Sequence, residues 1–116
     1  MRETDRHVLV AGAGPAGMMA AGTAASRGCR VTLLDPGGRG GRKLALTGKG
    51  RCNLTNDSTV ETCLAHIPRN PRFLYSALSA FPPADVTAFF ETLGVPLQTE
   101  RGRRVFPVSG RAGDVV

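Results

Sequence analysis

The chain has 116 residues and a formal net charge of +6, and most of its basic residues are arginine. This length suits one domain of ordinary size. The sequence contains no tryptophan and one tyrosine, and its basic residues do not alternate with aromatic ones, which argues against a stacking surface for single-stranded nucleic acid. We therefore expect no nucleic-acid partner.

Residues 1–36 make up the first predicted segment. Apolar residues 8–11 predict a strand, residues 15–27 a small-residue helix that stops at Gly28, and residues 30–34 a second strand. A turn with the spacing G-x-G-x-x-G joins the first strand to the helix. This order is that of a β-α-β unit that binds a dinucleotide.

The residues of the turn each have a physical role in such a unit. Gly12 allows the tight turn, Gly14 lets the backbone approach a pyrophosphate, and Gly17 lets the helix lie close to the strand. Pro15 falls at the first helical position, where its fixed φ suits the helix. Asp35 closes the second strand, where its carboxylate can accept the ribose hydroxyls and would repel a 2′-phosphate. The pattern predicts FAD or NAD rather than NADP.

Residues 37–59 are rich in glycine and basic residues, and we expect a loop that lies against the bound dinucleotide. Leu44, Leu46 and Leu54 are expected anchors, which argues against a disordered linker. A first basic cluster lies here and comprises Arg39, Arg42, Lys43, Lys49 and Arg51. We expect it near the pyrophosphate, with solvated charge as the alternative.

The rest of the chain predicts helices and a hairpin. Residues 60–94 have helical spacing in two or three pieces, with Phe89 and Phe90 as expected core residues. Residues 95–108 predict a β-hairpin, whose turn carries a second basic cluster of Arg101, Arg103 and Arg104, which we interpret as solvated charge. Residues 109–116 predict the start of a helix that the end of the chain interrupts. We expect the chain to be the N-terminal portion of a longer protein.

The cysteines indicate neither a metal site nor export. Cys29, Cys52 and Cys63 form no C-x-x-C pair and no metal-ligand spacing with the histidines, so we expect no metal and a reducing, cytoplasmic location. The glycines and proline in residues 8–25 argue against a signal peptide. No segment is long and apolar enough to span a bilayer, so we expect no membrane partner.

Longer segments of the sequence carry a family resemblance. They are Gly12-Ala13-Gly14-Pro15-Ala16-Gly17, Gly41-Arg42-Lys43-Leu44, residues 47–56 (Thr-Gly-Lys-Gly-Arg-Cys-Asn-Leu-Thr-Asn), residues 89–97, residues 100–102 and residues 104–109. In this order they resemble the N-terminal quarter to third of the BaiN-like NAD(P)/FAD-dependent oxidoreductases, which are bacterial and archaeal flavoproteins. The resemblance implies an α/β fold: the N-terminal portion of a Rossmann-like, glutathione-reductase-like FAD-binding domain.

The resemblance also implies the cofactor and its ligands. The cofactor would be FAD, with NAD(P)H as a candidate electron donor and a small molecule as substrate. The residues implied are Gly12, Gly14, Pro15, Ala16 and Gly17 at the pyrophosphate, Asp35 at the adenosine ribose, and Arg42, Lys43, Gly50, Arg51, Cys52 and Asn53 toward the phosphates and the flavin. The chain departs from the family pattern at Asp35, where glutamate is frequent, and at Gly113. Catalytic residues and oligomeric state are not assigned.

Several alternatives stay open. A Cys52 thiolate beside a flavin would suggest disulfide reductase chemistry, but this needs a second cysteine, and Cys63 lies on a different segment, so packing or flavin contact is favoured. Asn53 and Thr55 could donate to flavin carbonyls or fold the loop through local bonds. The competing functions are an NAD-binding dehydrogenase domain without flavin and a non-enzymatic basic module that binds nucleic acid.

Overall fold

The computed structural model describes residues 6–116, which pack as two compact units. The first unit runs through Leu46 and includes the terminal Val116, and the second comprises Thr47–Val115. Residues 1–5 of the predicted first segment lie outside the described residues. The assignment of the predicted segments to parts of one FAD-binding domain stays a prediction.

The first unit begins with a parallel β-α-β arrangement. Strand β1 (His7–Ala11) pairs with strand β2 (Arg30–Leu34) in parallel, from His7 opposite Arg30 to Ala11 opposite Leu34. Helix α1 (Pro15–Ser26) connects the two strands and packs on both. Gly28, with φ at +82°, ends the helix because it adopts the left-handed conformation that favours glycine. The predicted α/β fold with a parallel β-α-β start is confirmed.

A helix lies where the sequence predicted a loop. Helix α2 (Arg42–Gly50) is regular in its first part and is broken at Thr47, Gly48 and Lys49, whose backbone angles are not helical. The prediction of a loop throughout residues 37–59 is therefore wrong for this stretch. The run Arg-Lys-Leu-Ala-Leu consists of good helix formers, and the surrounding glycines obscured it.

The second unit contains three short helices. They are α3 (Val60–Ala65), α4 (Tyr75–Ala80) and α5 (Pro83–Thr92), and a 3-10 turn at Pro71–Leu74 precedes α4. The N-cap Thr59 accepts a hydrogen bond at 3.1 Å from the backbone N–H of Thr62, which satisfies a donor of the first turn of α3. Helical pieces within residues 60–94 are therefore present as the periodicity indicated. Phe89, expected in the core, is instead exposed, and Phe90 is half-buried.

An antiparallel sheet completes the second unit. Its order is β3 (Thr55–Asn56), β5 (Arg104–Pro107), β4 (Leu97–Glu100), and β4 and β5 form a hairpin. Val105 and Phe106 are buried there, and Cys52 is buried in the same unit. Strand β3 was not predicted. The helix predicted to begin at 109–116 is instead a 3-10 turn at Ala112–Asp114.

Candidate functional site

A groove of about 480 Å³ opens in the first unit, beyond the carboxyl ends of β1 and β2. It is lined by residues of the turn 12–15, of the segment that follows β2, and of the first part of α2. The carboxyl edge of parallel strands is where open α/β sheets bind their ligands. Its volume lies in the range of small-molecule sites.

Two glycines of the turn are required by the fold itself. Gly12 has φ at +101°, and its N–H donates to the carbonyl oxygen of Leu34 at 2.7 Å. A Cβ on Gly17 would lie 1.8 Å from the carbonyl oxygen of Gly12. Helix α1 can therefore lie this close to the end of β1 only with glycine at position 17.

Gly14 is different, because the fold does not require glycine there. Its φ of −77° suits any residue, and no atom lies within 4 Å of the position that a Cβ would take. It caps α1 at the groove, with Pro15 at the first helical position and no acidic residue in the first turn. The free N–H groups of that turn and the positive end of the helix dipole favour an anion at this point.

Asp35 ties the second loop to the turn. Its Oδ2 accepts from the N–H of Gly37 at 3.1 Å, and its Oδ1 accepts from the N–H of Ala13 at 3.4 Å. The N–H of Gly41 also donates to the carbonyl oxygen of Ala13 at 2.8 Å. A carboxylate has about four lone-pair positions, so Asp35 keeps capacity for further donors in the groove.

Three exposed cations line the same groove, namely Arg39, Arg42 and Lys43. Within the described part of the chain, none of their side chains makes an ion pair or a hydrogen bond. A Cβ on Gly37 would lie 2.8 Å from Nη1 of Arg42, so the guanidinium packs against this loop. The groove therefore combines a helix N-terminus with unpaired positive charge.

The structure brings six of the sequence-predicted site residues together in this groove, and they are Gly12, Gly14, Pro15, Asp35, Arg42 and Lys43. Ala16 and Gly17 lie in the first turn of α1 but do not line it. Gly50, Arg51, Cys52 and Asn53 belong to the second unit. Sequence reasoning placed Arg39 only in the basic cluster and missed five other lining residues, namely Ala13, Pro36, Gly37, Gly41 and Leu46. The Gly-Gly-Arg-Gly-Gly run at 37–41 was the available signal.

Arg51 has partners within the second unit. Its guanidinium forms an ion pair with the carboxylate of Glu100 and lies 4.2 Å from the centroid of the Phe106 ring. The hydrogen bond from Arg51 lowers the pKa of Glu100, and the charges of Arg51 and Arg104 add to this effect. Arg51 therefore joins the turn at residues 50–53 to the antiparallel sheet.

Cys52 and Asn53 also have structural contacts. Cys52 is fully buried, which raises the pKa of its thiol, and a hydrogen bond with Thr47 offsets only part of this shift. A buried thiol with a raised pKa is a poor nucleophile, which favours packing over redox chemistry. Asn53 Nδ2 donates to the carbonyl oxygens of Thr55 at 2.9 Å and Val105 at 3.1 Å. A role for either residue at a flavin stays a prediction.

Two negative findings apply to residues 6–116 alone. No helix there is long and apolar enough to cross a membrane. No group of three or more histidine, cysteine, aspartate or glutamate side chains in the same range could hold a metal ion.

The fold and the groove together have the arrangement of a Rossmann-type β-α-β unit, in which a groove opens at the carboxyl ends of the parallel strands. The sequence matches the model of the HI0933-like protein Rossmann domain over residues 6–116. The chain therefore belongs to the HI0933-like, or BaiN-like, family of FAD-dependent oxidoreductases.

Curated relatives of two kinds are similar to parts of the chain. It is 44% identical over 77 residues to the ribosomal RNA dihydrouridine synthase of Escherichia coli K12, covering 66% of this chain and 19% of that protein. The synthase of the same name from Haemophilus influenzae is 36% identical over 88 residues, 75% of this chain and 21% of its own length. The 3-dehydro-bile acid delta(4,6)-reductase of Clostridium scindens is 34% identical over 109 residues, 92% of this chain and 26% of that protein. The chain thus spans about a fifth to a quarter of these relatives.

Proposed function

We propose that the groove of the first unit binds the adenosine and pyrophosphate part of FAD, and that the protein acts as an FAD-dependent oxidoreductase. The observation that carries the proposal is the open space in front of Gly14, at the N-terminus of α1. Glycine is not needed there for the backbone, but it is needed if a pyrophosphate approaches the chain closely. Membership of the HI0933-like family supports FAD as the dinucleotide.

Different residues of the chain would bind different parts of FAD. The N–H groups of Ala16 and Gly17 and the side chains of Arg42 and Lys43 would hold the pyrophosphate. Asp35 would accept hydrogen bonds from the adenosine ribose, and its charge would disfavour a 2′-phosphate. Gly12 and Pro15 would set the shape of the turn. The turn of Gly50, Arg51, Cys52 and Asn53 would contact the flavin side, as the family resemblance implies.

A bound flavin would supply hydride or electron transfer, and the protein would supply binding, orientation and exclusion of water. The relatives are named as a dihydrouridine synthase and a delta(4,6)-reductase, and both names describe reductions. We therefore propose that the protein reduces a small-molecule substrate, with NAD(P)H as the candidate electron donor.

A nucleobase in RNA is a second candidate substrate, against our expectation of no nucleic-acid partner. It is favoured by the 44% identity to a ribosomal RNA dihydrouridine synthase. The two candidates are separated by mass spectrometry of transcripts after incubation with protein, FAD and NAD(P)H. Dihydrouridine in the transcripts would support RNA as the substrate. Its absence would favour a small-molecule substrate.

The visible spectrum of the purified protein tests the proposal. Bound flavin gives an absorbance band near roughly 450 nm, and mass spectrometry of the released cofactor identifies it as FAD. A colourless protein that fails to take up added FAD but binds NAD would instead support a dehydrogenase domain without flavin.

A further inference from the structure

A second cavity, of about 740 Å³, lies within the second unit and shares no lining residue with the proposed FAD groove. Ile67, Leu74 and Leu78 supply its apolar lining, and Arg103 is a cation in its wall. Apolar surface with a small number of polar groups is the usual composition of a small-molecule site.

The backbone at Arg103 is held in an unusual conformation. Its φ is +58°, in the left-handed region that residues with side chains rarely adopt. The N–H of Asp57 donates to the carbonyl oxygen of Arg103 at 2.8 Å, and Asn56 Nδ2 donates to that of Gly102 at 2.9 Å. These bonds hold the arginine at the cavity in spite of the strain, and such strain occurs preferentially at functional sites.

The guanidinium of Arg103 also lacks a partner among the residues that the structure describes. Three of the six other arginines of the second unit are bonded. Arg51 pairs with Glu100, Arg111 pairs with Asp114, and Arg104 donates to a backbone carbonyl. The charge of Arg103 is therefore available to an anion in the cavity.

His66 also lines the cavity. Its Nδ1 lies 2.8 Å from the carbonyl oxygen of Thr62, which can only accept, so Nδ1 donates to that oxygen. This bond fixes the ring at the cavity wall. The cavity thus offers a cation and an apolar surface.

We propose that this cavity binds a small amphipathic anion, a carboxylate or phosphate ester whose charged group pairs with Arg103 and whose hydrocarbon part packs on Ile67, Leu74 and Leu78. The proposal does not depend on FAD binding, since all lining residues belong to the second unit.

Calorimetric titration of the purified protein with octanoate and with octyl phosphate tests the proposal. We expect saturable binding of at least one, and the tighter of the two identifies carboxylate or phosphate as the preferred group. Acetate lacks the hydrocarbon part and 1-octanol lacks the charge, so both should bind at least about tenfold more weakly, as expected when a charge-assisted bond or the apolar contact is missing. Failure of both amphiphiles to bind, or equal binding of octanol, would overturn the proposal.

Two variants separate the role of the charge from effects on folding. Arg103→Gly suits the positive φ, so it should fold and yet bind the preferred amphiphile at least about tenfold more weakly. Arg101→Ala removes an arginine of the same turn that does not line the cavity, and its affinity should equal that of the parent. Unchanged affinity in Arg103→Gly would contradict the proposal.

The reactivity of Cys63 reports whether the amphiphile binds in this cavity. It lines the cavity and is half-buried, as is Cys29 in the first unit. A saturating amount of the preferred amphiphile should slow alkylation of Cys63 by iodoacetamide and leave Cys29 unaffected, as measured by peptide mass spectrometry. An unchanged rate at Cys63 would place the ligand elsewhere and overturn the proposal.

Discussion

The two units use arginine and glycine for different purposes. In the first unit, Arg42 and Lys43 lack partners among the described residues, and Gly14 faces open space. In the second, Arg51 is paired with Glu100 and packed on Phe106. Both units have positive charge near glycine-rich turns, and only the contacts distinguish a ligand groove from a structural joint. Unpaired positive charge beside a helix N-terminus indicates an anion-binding site. A cation that is already paired with a carboxylate has a structural role that needs no ligand.

The largest expected effect follows from Gly17. Replacing it with Ala would place a Cβ 1.8 Å from the carbonyl oxygen of Gly12, so α1 must move away from β1. We expect a loss of about 3 kcal/mol or more in the free energy of unfolding, measured in urea. Gly22→Ala is the control in the same helix, because nothing lies within 4 Å of its Cβ. It should stabilise the helix by up to about 1 kcal/mol, and equal losses in both variants would refute the packing argument.

Gly14→Val separates binding from stability. The new side chain would occupy the space in front of α1, so FAD affinity should fall at least about a hundredfold, which corresponds to about 2.8 kcal/mol. The free energy of unfolding should fall by only about 1 kcal/mol, the typical cost of replacing a favourable N-cap residue with an unfavourable one such as valine. Flavin content and urea unfolding of the same preparation measure both. Equal flavin content in variant and parent would remove this turn from the binding site.

A double variant tests the unpaired cations. Arg42→Ala with Lys43→Ala should weaken FAD binding by at least about tenfold, because charge-assisted contacts are worth about 1.5–3 kcal/mol each. Arg69→Ala with Arg72→Ala removes the same charge from exposed positions that do not line the groove. Titration of the apoprotein should give parental affinity for this control. If the control variant lost more FAD affinity than the Arg42 and Lys43 variant, the first basic cluster would have to be interpreted as solvated charge.

The smallest effect is expected at the paired arginine. Because the pKa of Glu100 lies below its ordinary value of 4.5, the ion pair stabilises the fold above that pH, and this stabilisation is lost as the pH falls through the lowered pKa. Arg51→Ala should therefore lower the Tm at pH 7, and part of the difference from the parent should disappear in acid. Arg101→Ala should show no such dependence. If the Tm difference between Arg51→Ala and the parent did not change with pH, the stabilisation by Arg51 would come from its contact with Phe106 and not from the ion pair.

The β-α-β unit could be predicted from the sequence because its signals are local. The turn, the helix and Asp35 are set by neighbours in the chain, and residues of the turn and Asp35 line one groove, whereas their role in cofactor binding stays a prediction. Helix α2 was missed because glycines surround its five helix formers. Strand β3 has two residues, and its pairing with β5 depends on a segment about 50 positions away, which no local pattern reveals.

The second unit also shows where motif reasoning reaches its limit. Family resemblance assigns the turn at residues 50–53 to the cofactor, while the contacts of Arg51 and Asn53 hold that turn on the sheet. One residue can have both a cofactor contact and a structural contact, because a turn that binds a ligand must also be held in place by the fold. At Arg103 the sequence indicated only solvated charge. Its left-handed backbone and its place in the cavity wall are what point to a ligand-binding role.

The most direct test of the FAD site is nuclear magnetic resonance of the ¹⁵N-labelled protein during titration with FAD. We expect the amide signals of Gly14, Ala16 and Gly17 to shift with FAD concentration and to saturate together with binding, since these N–H groups would face the pyrophosphate. Binding of FAD that leaves these three signals unmoved would contradict a pyrophosphate site at the N-terminus of α1, because the cofactor would then lie elsewhere.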